Sequence, residues 1–290
     1  MLVRKGNEQL LKNNQVIGKL YIWDKTSGKL RNLRAIARDV RKEKYDCIIN
    51  LQRFASTGWL VWRSKAPERI GFDKNPFAFC YTRKVKHIIG DGRHETERNQ
   101  ELISHITDNT PERPDLHLTR EDYMTVDQYR NGTHVCIAPA SVWFTKQFPD
   151  VKWIELIGLL DPSLTIYLLG SMQDSVLCER IAAASAGKKI VNLCGKLNLL
   201  QSAALMENAV MNYVNDSAPL HLASAVNAKV TAVFCSTVPS FGFGPLSHDS
   251  RIAEIKGNLP CRPCGLHGKD YCPEKHFRCA GDIDVKTMLP

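Results

Sequence analysis

Apolar runs alternate with helix-like segments throughout the second half of the chain. Strands are predicted where apolar residues follow one another without interruption, at 134–140, 164–170, 189–195, 209–214 and 229–235. Helices are predicted between them, at 150–160, 174–186, 198–208 and about 217–226. Uninterrupted apolar strands joined by helices are typical of a parallel sheet that is covered on both faces. The pattern predicts a doubly wound, Rossmann-like α/β domain.

The first half is less regular, although it contains similar elements. Strands are predicted at 18–23, 45–51 and 84–90, with a basic amphipathic helix at 29–43, a glycine-bearing loop after residue 51 and a helix near 95–107. Two prolines in 108–119 indicate a linker, and a short helix is expected at 120–130. We therefore predict an N-terminal Rossmann-like domain over 1–130, a second over 131–256, and a cysteine-rich segment over 257–290.

Length and composition fit a globular protein with two domains. The chain has 290 residues, of which 43% are hydrophobic and 24% charged. No apolar run approaches the ~18–20 residues of a membrane span. The N-terminus lacks the apolar stretch and small-residue cleavage site of a signal peptide. A cytoplasmic location is the expectation.

The positive charge is concentrated in the first half. The formal net charge is +9; residues 1–130 carry 25 Lys and Arg against 17 Asp and Glu, and the remainder carries 14 against 13. This excess suits an anionic partner, such as phosphates, an acidic membrane surface or nucleic acid. A solvated basic surface explains the charge equally well.

Several loops follow the carboxyl ends of predicted strands, where open parallel sheets bind their ligands. The loop after residue 138 offers Ser141, Thr145 and one cation, Lys146. Glycines follow two further strands, at Gly170 and Gly195, and would allow a ligand to approach the backbone closely. A lone lysine is more often solvated, however, and a glycine more often marks a plain turn.

The stretch NYVNDSAPLH (212–221) places Asp216 and Ser217 between a buried strand and a helix. Ser217 is the predicted N-cap, and the unpaired amides at the helix start would bind an anion. The helix terminus contributes ~0.3–1 kcal/mol, whereas a lysine 4 Å from a phosphate contributes about 4 kcal/mol at an effective dielectric of 20. Lys146 is thus the larger contribution. Asp216 has the same negative charge as the expected anion and would repel it. A ligand with both a pyrophosphate and sugar hydroxyls would suit both groups, because its hydroxyls can donate to the carboxylate.

Together these segments resemble glycosyltransferase family 9, the ADP-heptose:lipopolysaccharide heptosyltransferases. The similar pieces run in family order from about residue 45 to 246: YDCIINLQRF, RIGF, HETERNQELI, IAPASVWFTKQFP, IYLLGSMQD, VNLCGKLNLLQSAALMENA, YVNDSAPLHLASAV and FGFGPL. The resemblance implies a GT-B architecture of two Rossmann-like domains. It implies an ADP-heptose donor bound by the C-terminal domain and a lipopolysaccharide inner-core acceptor bound by the N-terminal domain at the inner-membrane surface, without nucleic acid or a catalytic cofactor.

The resemblance also implies roles for individual residues. Lys146 would contact the donor phosphate, with Thr145 beside it, and stabilise the leaving group of an inverting transfer. Asp216 would hold sugar hydroxyls, while the amides of Ser217 and Ala218 hold pyrophosphate; Ala218 stands where the family usually has glycine. His221, one helical turn further on, would reach the phosphates or simply pack. Acceptor-binding candidates are Arg53, Arg63, Arg69 and Arg83, although a basic surface near the membrane explains any single one equally well. Arg69 lies in a stretch (RIG) that would also suit a turn.

The sequence departs from the family in the segment that supplies the general base. The family carries that carboxylate after its first strand, and a strand, loop and helix of roughly forty residues have no counterpart here. Asp24, Asp46 and Asp73 do not match the base position, so no catalytic base is assigned. We expect the first domain to be incomplete, with an exposed sheet edge, and this chain to have little transfer activity of its own.

Four cysteines cluster near the C-terminus with the spacing C-x2-C-x7-C-x6-C: Cys261, Cys264, Cys272 and Cys279. The first pair has a spacing common in zinc knuckles, whereas the second is looser than in usual zinc ribbons. A structural zinc, free thiols and disulfides are the alternatives, in that order for a reducing compartment. Six further cysteines are scattered without a pairing pattern and are predicted to be buried thiols.

Two other functions remain open at this stage. A non-catalytic nucleotide-sugar-binding remnant of the same family would explain the unmatched base segment. A basic, zinc-bearing nucleic-acid-binding protein would explain the charge and the cysteines. That second alternative leaves the parallel sheet unexplained, and the basic excess avoids the cysteine segment, where such a protein would need it.

Overall fold

The computed structural model describes residues 1–289 and divides the chain into two compact units, Met1–Glu112 and Arg113 onward. The division falls inside the predicted linker, but the boundary predicted at residue 130 lies too late. Helix α4 (Arg120–Val126) packs on a helix of the second unit, and the Tyr129 ring lies 5.5 Å from that of Tyr167. The cysteine-rich segment is likewise part of the second unit, because Ile283, Val285 and Met288 are buried in its core.

The first unit contains strands β1 (Leu2–Arg4), β2 (Tyr21–Trp23), β3 (Cys47–Asn50), β4 (Glu68–Phe72) and β5 (Arg83–Val85), with helices α1 (Lys29–Glu43), α2 (Ala55–Ser64) and α3 (Glu95–Ile103). Short 3-10 helices lie at Glu8–Leu11 and Ala78–Cys80. Two predictions were wrong here. The segment expected to be a glycine-bearing loop is helix α2, and the RIG stretch that suited a turn is strand β4. The strand expected at 84–90 ends at Val85.

The strands of the first unit form two separate parallel sheets, β1-β2 and β3-β4-β5. A cavity of about 690 Å³ is lined by residues of β1 and of β3, including Leu2, Val3, Ile48 and Ile49. Within residues 1–112, no strand joins the two sheets. The cavity therefore lies between the two sheets of the first unit, beside strands β1 and β3.

The second unit is built on a six-stranded parallel sheet in the order β11-β10-β9-β6-β7-β8. Its elements are β6 (His134–Ala138), α5 (Asp150–Leu159), β7 (Thr165–Leu168), α6 (Ser175–Ala184), β8 (Lys189–Asn192), α7 (Leu199–Glu207), β9 (Met211–Asn215), α8 (Ala218–Ala225), β10 (Val230–Phe234), β11 (Ser250–Glu254) and α9 (Arg278–Gly281). Short 3-10 helices lie at Asp127–Tyr129, Phe144–Lys146, Met172–Asp174, Pro239–Phe241 and Val285–Met288. The five strands and four helices predicted for this half are confirmed, and β11 is an addition.

Helices cover both faces of this sheet because its central strands are apolar on both sides. Every residue of β6, β9 and β10 is buried. Alternate strand residues such as Ile137 and Tyr213 pack with Trp153 of α5 and Ile181 of α6. The intervening His134 and Asn212 point to the other face, where their side chains contact carbonyl groups of α7. This is the doubly wound arrangement that the sequence predicted.

Parallel strands place all their carboxyl ends at one edge of the sheet. In the second unit the strand order reverses between β6 and β9, the kind of position at which open α/β sheets bind ligands. The loops carrying Lys146 and Asp216 follow these two neighbouring strands. In residues 1–289, no helix combines the length and hydropathy needed to cross a membrane.

Candidate functional site

An ion pair between Lys146 and Asp216 stands at this reversal of the strand order. Lys146 ends the 3-10 helix Phe144–Lys146 after β6, and Asp216 follows β9 directly. The lysine Nζ lies 2.6 Å from Asp216 Oδ2, and the two side chains are only 15% and 7% exposed. The sequence suggested the two residues separately, and the structure shows that they contact each other across 70 positions.

The carboxylate of Asp216 is fixed from several directions. Its own amide donates to the Val233 carbonyl (3.0 Å), and Thr237 Oγ1 donates to Asp216 Oδ2 (2.6 Å). Thr237 is itself buried. Oδ2 therefore accepts from both an ammonium and a hydroxyl, which fixes the position of the carboxylate.

Asn215, the last residue of β9, holds the Lys146 loop in place. Its fully buried amide donates to the Pro139 carbonyl (2.7 Å), and its Oδ1 accepts from the amide of Phe148 (3.0 Å). The side chain thus ties together both ends of the loop from 139 to 148. Nothing in the local sequence singles out Asn215, although an amide side chain at the end of a buried strand needs such partners.

The cysteine-rich segment also holds this loop in place, through hydrogen bonds to Thr145. Buried Thr145 donates its amide hydrogen to the Lys269 carbonyl (3.0 Å), and its hydroxyl contacts the Lys269 amide (2.8 Å) and Ser236 Oγ (3.0 Å). Gly268 lies so close to the lysine stem that a Cβ there would be 2.9 Å from Lys146 Cγ. The hydroxyl oxygen of Thr145 therefore accepts two hydrogen bonds that hold the loop, and its predicted place beside the donor phosphate stays a prediction.

The start of helix α8 lies next to Asp216 in the sequence. Ser217 is the N-cap by position, but its side chain makes no capping hydrogen bond, contrary to the prediction; its Oγ lies 3.4 Å from the Asn215 carbonyl. Pro219 occupies the first turn, and the first internal bond runs from the Leu220 amide to the Ser217 carbonyl (3.0 Å). The amides of Ser217 and Ala218 precede that bond, as an anion-binding helix terminus requires.

The glycines after β7 and β8 are brought together by a backbone hydrogen bond. The Gly195 amide donates to the Gly170 carbonyl (2.9 Å). Gly195 has a positive φ of 71°, and a Cβ there would lie 2.8 Å from Met172 Cε, so only glycine fits without strain. Gly170 precedes a turn in which Ser171 and Asp174 cap each other, which confirms the plain-turn interpretation of its local structure.

The other predicted donor-side residues are placed less tightly. Ser141 is half-buried, and its carbonyl accepts from Gln147 Nε2 (2.6 Å). His221 lies on α8, four positions after Ser217, with its side chain exposed. The roles predicted for both residues toward the donor stay predictions.

The four arginines predicted to bind the acceptor differ in how strongly the first unit already engages them. Arg63 lies on α2, with its guanidinium 6.0 Å from the Trp62 ring. Arg69 donates to the carbonyls of Ala66, Pro67 and Cys80, so its guanidinium is used to fix the chain around β4. Arg83 donates to Ser104 Oγ (3.1 Å), while its Nε is buried without a hydrogen-bond partner. Arg53 is half-buried in the segment after β3. Arg53 is the candidate that the fold leaves most available.

The four clustered cysteines do not form a metal centre in this structure. All ten cysteines are free, and the described residues contain no group of three or more His, Cys, Asp or Glu side chains placed to hold a metal ion. Cys261 Sγ lies 3.9 Å from His276 Nε2, and Cys264 Sγ lies 3.3 Å from the Cys261 carbonyl. Burial raises the pKa of Cys279 to about 12. The arrangement does not fit the predicted zinc and favours free thiols.

Comparison with known proteins identifies the family. The model of glycosyltransferase family 9 (heptosyltransferase) matches residues 33–271. This chain belongs to that family. It is 25% identical over 265 residues to lipopolysaccharide heptosyltransferase 1 of Pseudomonas aeruginosa, an alignment that covers 88% of this chain and 72% of the relative.

Solved structures of heptosyltransferases share the fold. The Escherichia coli ADP-heptose lps heptosyltransferase II superposes with a TM-score of 0.71 at 18% identity, covering 96% of this chain and 86% of that one. The E. coli heptosyltransferase WaaC with ADP gives 0.66 at 19% identity, covering 87% and 82%. The family-9 chain described here therefore has the GT-B fold predicted from its sequence, and it is a heptosyltransferase-family glycosyltransferase.

Proposed function

We propose that this protein binds ADP-heptose in its second unit and transfers the heptose to the inner core of lipopolysaccharide with inversion. The observation that carries the proposal is the Lys146–Asp216 pair at the reversal of the strand order, directly before helix α8. Membership of glycosyltransferase family 9 supports the reaction class. The WaaC structure with ADP, and a second with ADP-2-deoxy-2-fluoro heptose, support an ADP-sugar donor.

The pair supplies the electrostatic part of the reaction. The acceptor hydroxyl attacks the anomeric carbon from the side opposite the phosphate, the bond from carbon to phosphate oxygen breaks, and ADP leaves with the bonding electrons. The Lys146 ammonium and the amides of Ser217 and Ala218 then stabilise the negative charge that grows on the leaving phosphate. Because these donors are held by the fold before the reaction begins, little reorganisation accompanies that step.

Asp216 is the residue that favours a sugar nucleotide over a simple phosphate. Its carboxylate is an acceptor that sugar hydroxyls match, with Lys146 and Thr237 as its partners within the protein. The paired glycines Gly170 and Gly195 lie at the carboxyl ends of the next two strands along the sheet. The surface around these glycines, of which Gly195 is exposed and Gly170 half-buried, is our candidate for the adenosine part of the donor.

The acceptor side belongs to the first unit in this proposal. Arg53 is the leading candidate for the phosphates and carboxylates of the inner core, with Arg83 second; Arg69 acts structurally. A carboxylate must take the proton of the acceptor hydroxyl, and we assign none in this chain. The protein then works at the cytoplasmic face of the inner membrane, where a lipid-anchored acceptor is found.

A non-catalytic nucleotide-sugar-binding protein is the second candidate. It shares the donor site and differs only in turnover. Both candidates predict that the Lys146–Asp216 site binds ADP.

Titration calorimetry with ADP, UDP and GDP tests the donor site, and turnover of ADP-heptose on heptose-free lipopolysaccharide separates the two candidates. We expect ADP to bind and Lys146→Met to weaken that binding at least 100-fold. Lys229→Met serves as the matched control, because Lys229 precedes β10 and lies at the opposite, amino edge of the sheet. ADP affinity that Lys146→Met leaves unchanged would contradict the site. ADP binding without heptose transfer would contradict the transferase and support the non-catalytic nucleotide-sugar-binding protein.

A further inference from the structure

Helix α1 presents a cationic groove that the proposed chemistry does not use. The groove has a volume of about 700 Å³ and lies between α1 and α2. Its lining consists of Ala37 and Trp59 together with six cations, Arg31, Arg34, Arg38, Arg41, Lys42 and Arg63, and includes no acidic residue. We name this set of eight residues the arginine groove.

The spacing of the cations shows why they share one face. Arg31, Arg34, Arg38 and Arg41 recur every three or four residues, so they form one stripe along the helix. The opposite stripe of α1 contains buried apolar side chains, such as Leu33, which belong to the same hydrophobic cluster as Trp23 of β2 and Leu60 of α2. The helix is therefore fixed by its apolar side, and its charged stripe faces solvent.

Few carboxylates neutralise this stripe. The acidic residues of α1 are Asp39, which lies 3.9 Å from Lys42, and Glu43, which pairs with Lys19. In the part of the chain that the structure describes, no carboxylate forms an ion pair with any of the five arginines of the groove. Like charges this close repel one another, so an external anion would stabilise the helix.

The extent of the groove indicates an anionic surface rather than a single phosphate. Arg31 and Lys42 are eleven residues apart, which corresponds to ~16 Å along a helix. The exposed apolar side chains Leu30 and Trp62 flank the cations, and the Arg63 guanidinium lies 6.0 Å from the Trp62 ring. Guanidinium groups interspersed with tryptophan and leucine are typical of protein faces that lie in the headgroup region of a bilayer.

We propose that the arginine groove docks the protein on a membrane surface rich in anionic phospholipid. This inference rests on the proposed function only in that a lipid-anchored acceptor requires the protein to be at the membrane. Each basic residue near such a surface strengthens binding about fivefold at moderate ionic strength. Several cations acting together therefore give reversible binding that rising salt weakens.

Co-sedimentation with vesicles of phosphatidylcholine, with and without phosphatidylglycerol, tests the proposal. We expect binding only to the vesicles with phosphatidylglycerol. Replacing Arg34, Arg38 and Arg41 by Gln should weaken that binding on the order of 100-fold. The matched control removes the same charge from the same unit at exposed positions outside the groove, Lys74, Lys84 and Lys86, also by Gln.

The outcomes are distinguishable. Equal losses in the two triple variants would show that net charge alone acts, and would overturn the proposal, as would an absence of binding to anionic vesicles. Loss of duplex DNA binding in the groove variant with vesicle binding intact would overturn it in favour of a nucleic-acid partner. ADP affinity measured on the same variants should not change, so a failure of the donor site is seen separately from a failure of the groove.

Discussion

The charge arrangement around Lys146 predicts an unusual order of ADP affinities among four proteins. They are the wild type, Asp216→Asn, Lys146→Met and the double variant. The ammonium lies 2.6 Å from Asp216 Oδ2. A phosphate oxygen that accepts from the same ammonium at ~2.8 Å is therefore at most about 5.4 Å from the carboxylate oxygen, whatever its direction.

These distances set the magnitudes. At an effective dielectric of ~20, the ammonium attracts each phosphate charge by ~6 kcal/mol and the carboxylate repels it by at least ~3 kcal/mol. Measured charged hydrogen bonds contribute only ~1.5–3 kcal/mol, so both figures should be scaled down by about half. Asp216→Asn is then expected to strengthen ADP binding about tenfold, and Lys146→Met to weaken it at least 100-fold.

The double variant provides the sharpest test. It lacks both the attraction and the repulsion, so it should bind ADP more weakly than the wild type but about tenfold more tightly than Lys146→Met. Titration calorimetry at low ionic strength measures all four affinities. If Asp216→Asn weakens ADP binding, or if the double variant binds no better than Lys146→Met, the carboxylate does not face the phosphates and the reasoning fails.

Stability must be measured alongside affinity. Lys146→Met leaves a carboxylate that is 7% exposed with Thr237 as its remaining side-chain partner. Removing one member of a buried ion pair typically costs ~3–5 kcal/mol. Thermal unfolding should therefore show a lower midpoint for Lys146→Met and a partial recovery in the double variant, and binding should be compared well below each midpoint.

Three further predictions concern other parts of the molecule. Gly268→Ala should weaken ADP binding several-fold by crowding the lysine stem, whereas Gly257→Ala, with nearly the same positive φ (85° against 84°) but nothing within 4 Å, should leave calorimetric affinity unchanged. Hydrogen bonds from two neighbouring arginines hold the pKa of Asp91 well below its usual range. That carboxylate therefore stabilises the fold fully above about pH 4 and progressively less as the pH falls towards its folded pKa. The difference in thermal midpoint between the wild type and Asp91→Asn should accordingly vanish in acid. Iodoacetamide should label half-buried Cys272 before Cys235, because burial raises the pKa of the Cys235 thiol. Peptide mass spectrometry measures the order of labelling, and protection of Cys272 would contradict a free thiol there.

The second unit was predictable because its strands are buried on both faces. Residues such as those of β6 and β9 form unbroken apolar runs, and the sequence shows this directly. Strand β11 was missed because it lies at an edge of the sheet, and Arg251 and Ile252 within it are exposed. An edge strand lacks the pattern on which the other predictions depended.

Helix α2 was missed because a glycine was read as a loop signal. A Cβ at Gly58 would lie 2.0 Å from Asn75 Oδ1, so this glycine lets the helix approach the segment after β4. Glycine inside a helix is destabilising by ~0.5–1 kcal/mol relative to alanine, and the close contact explains why it is nevertheless present. Nothing in the local sequence shows a contact with a residue seventeen positions away.

The candidate site was predictable residue by residue but not as an assembly. Lys146 and Asp216 stood out because they follow strand ends, yet their direct contact depends on β6 and β9 being neighbours. The two hydrogen bonds between Lys269 and Thr145 join positions 124 residues apart, whereas the cysteine spacing of the C-terminal segment suggests only metal binding. Long-range support of this kind is set by tertiary packing, which the local pattern does not encode.

The pairing of Lys146 with Asp216 also bears on product release. In ADP-heptose, sugar hydroxyls can donate to the carboxylate, which offsets its repulsion of the phosphates. In the proposed function, the product ADP lacks the sugar, so we expect it to meet the same carboxylate without that compensation and to bind more weakly. We infer that the aspartate beside the anion site lowers the affinity for the product relative to the donor. Product release sets the turnover of many enzymes, and Asp216→Asn should accordingly convert ADP into a stronger inhibitor of donor binding.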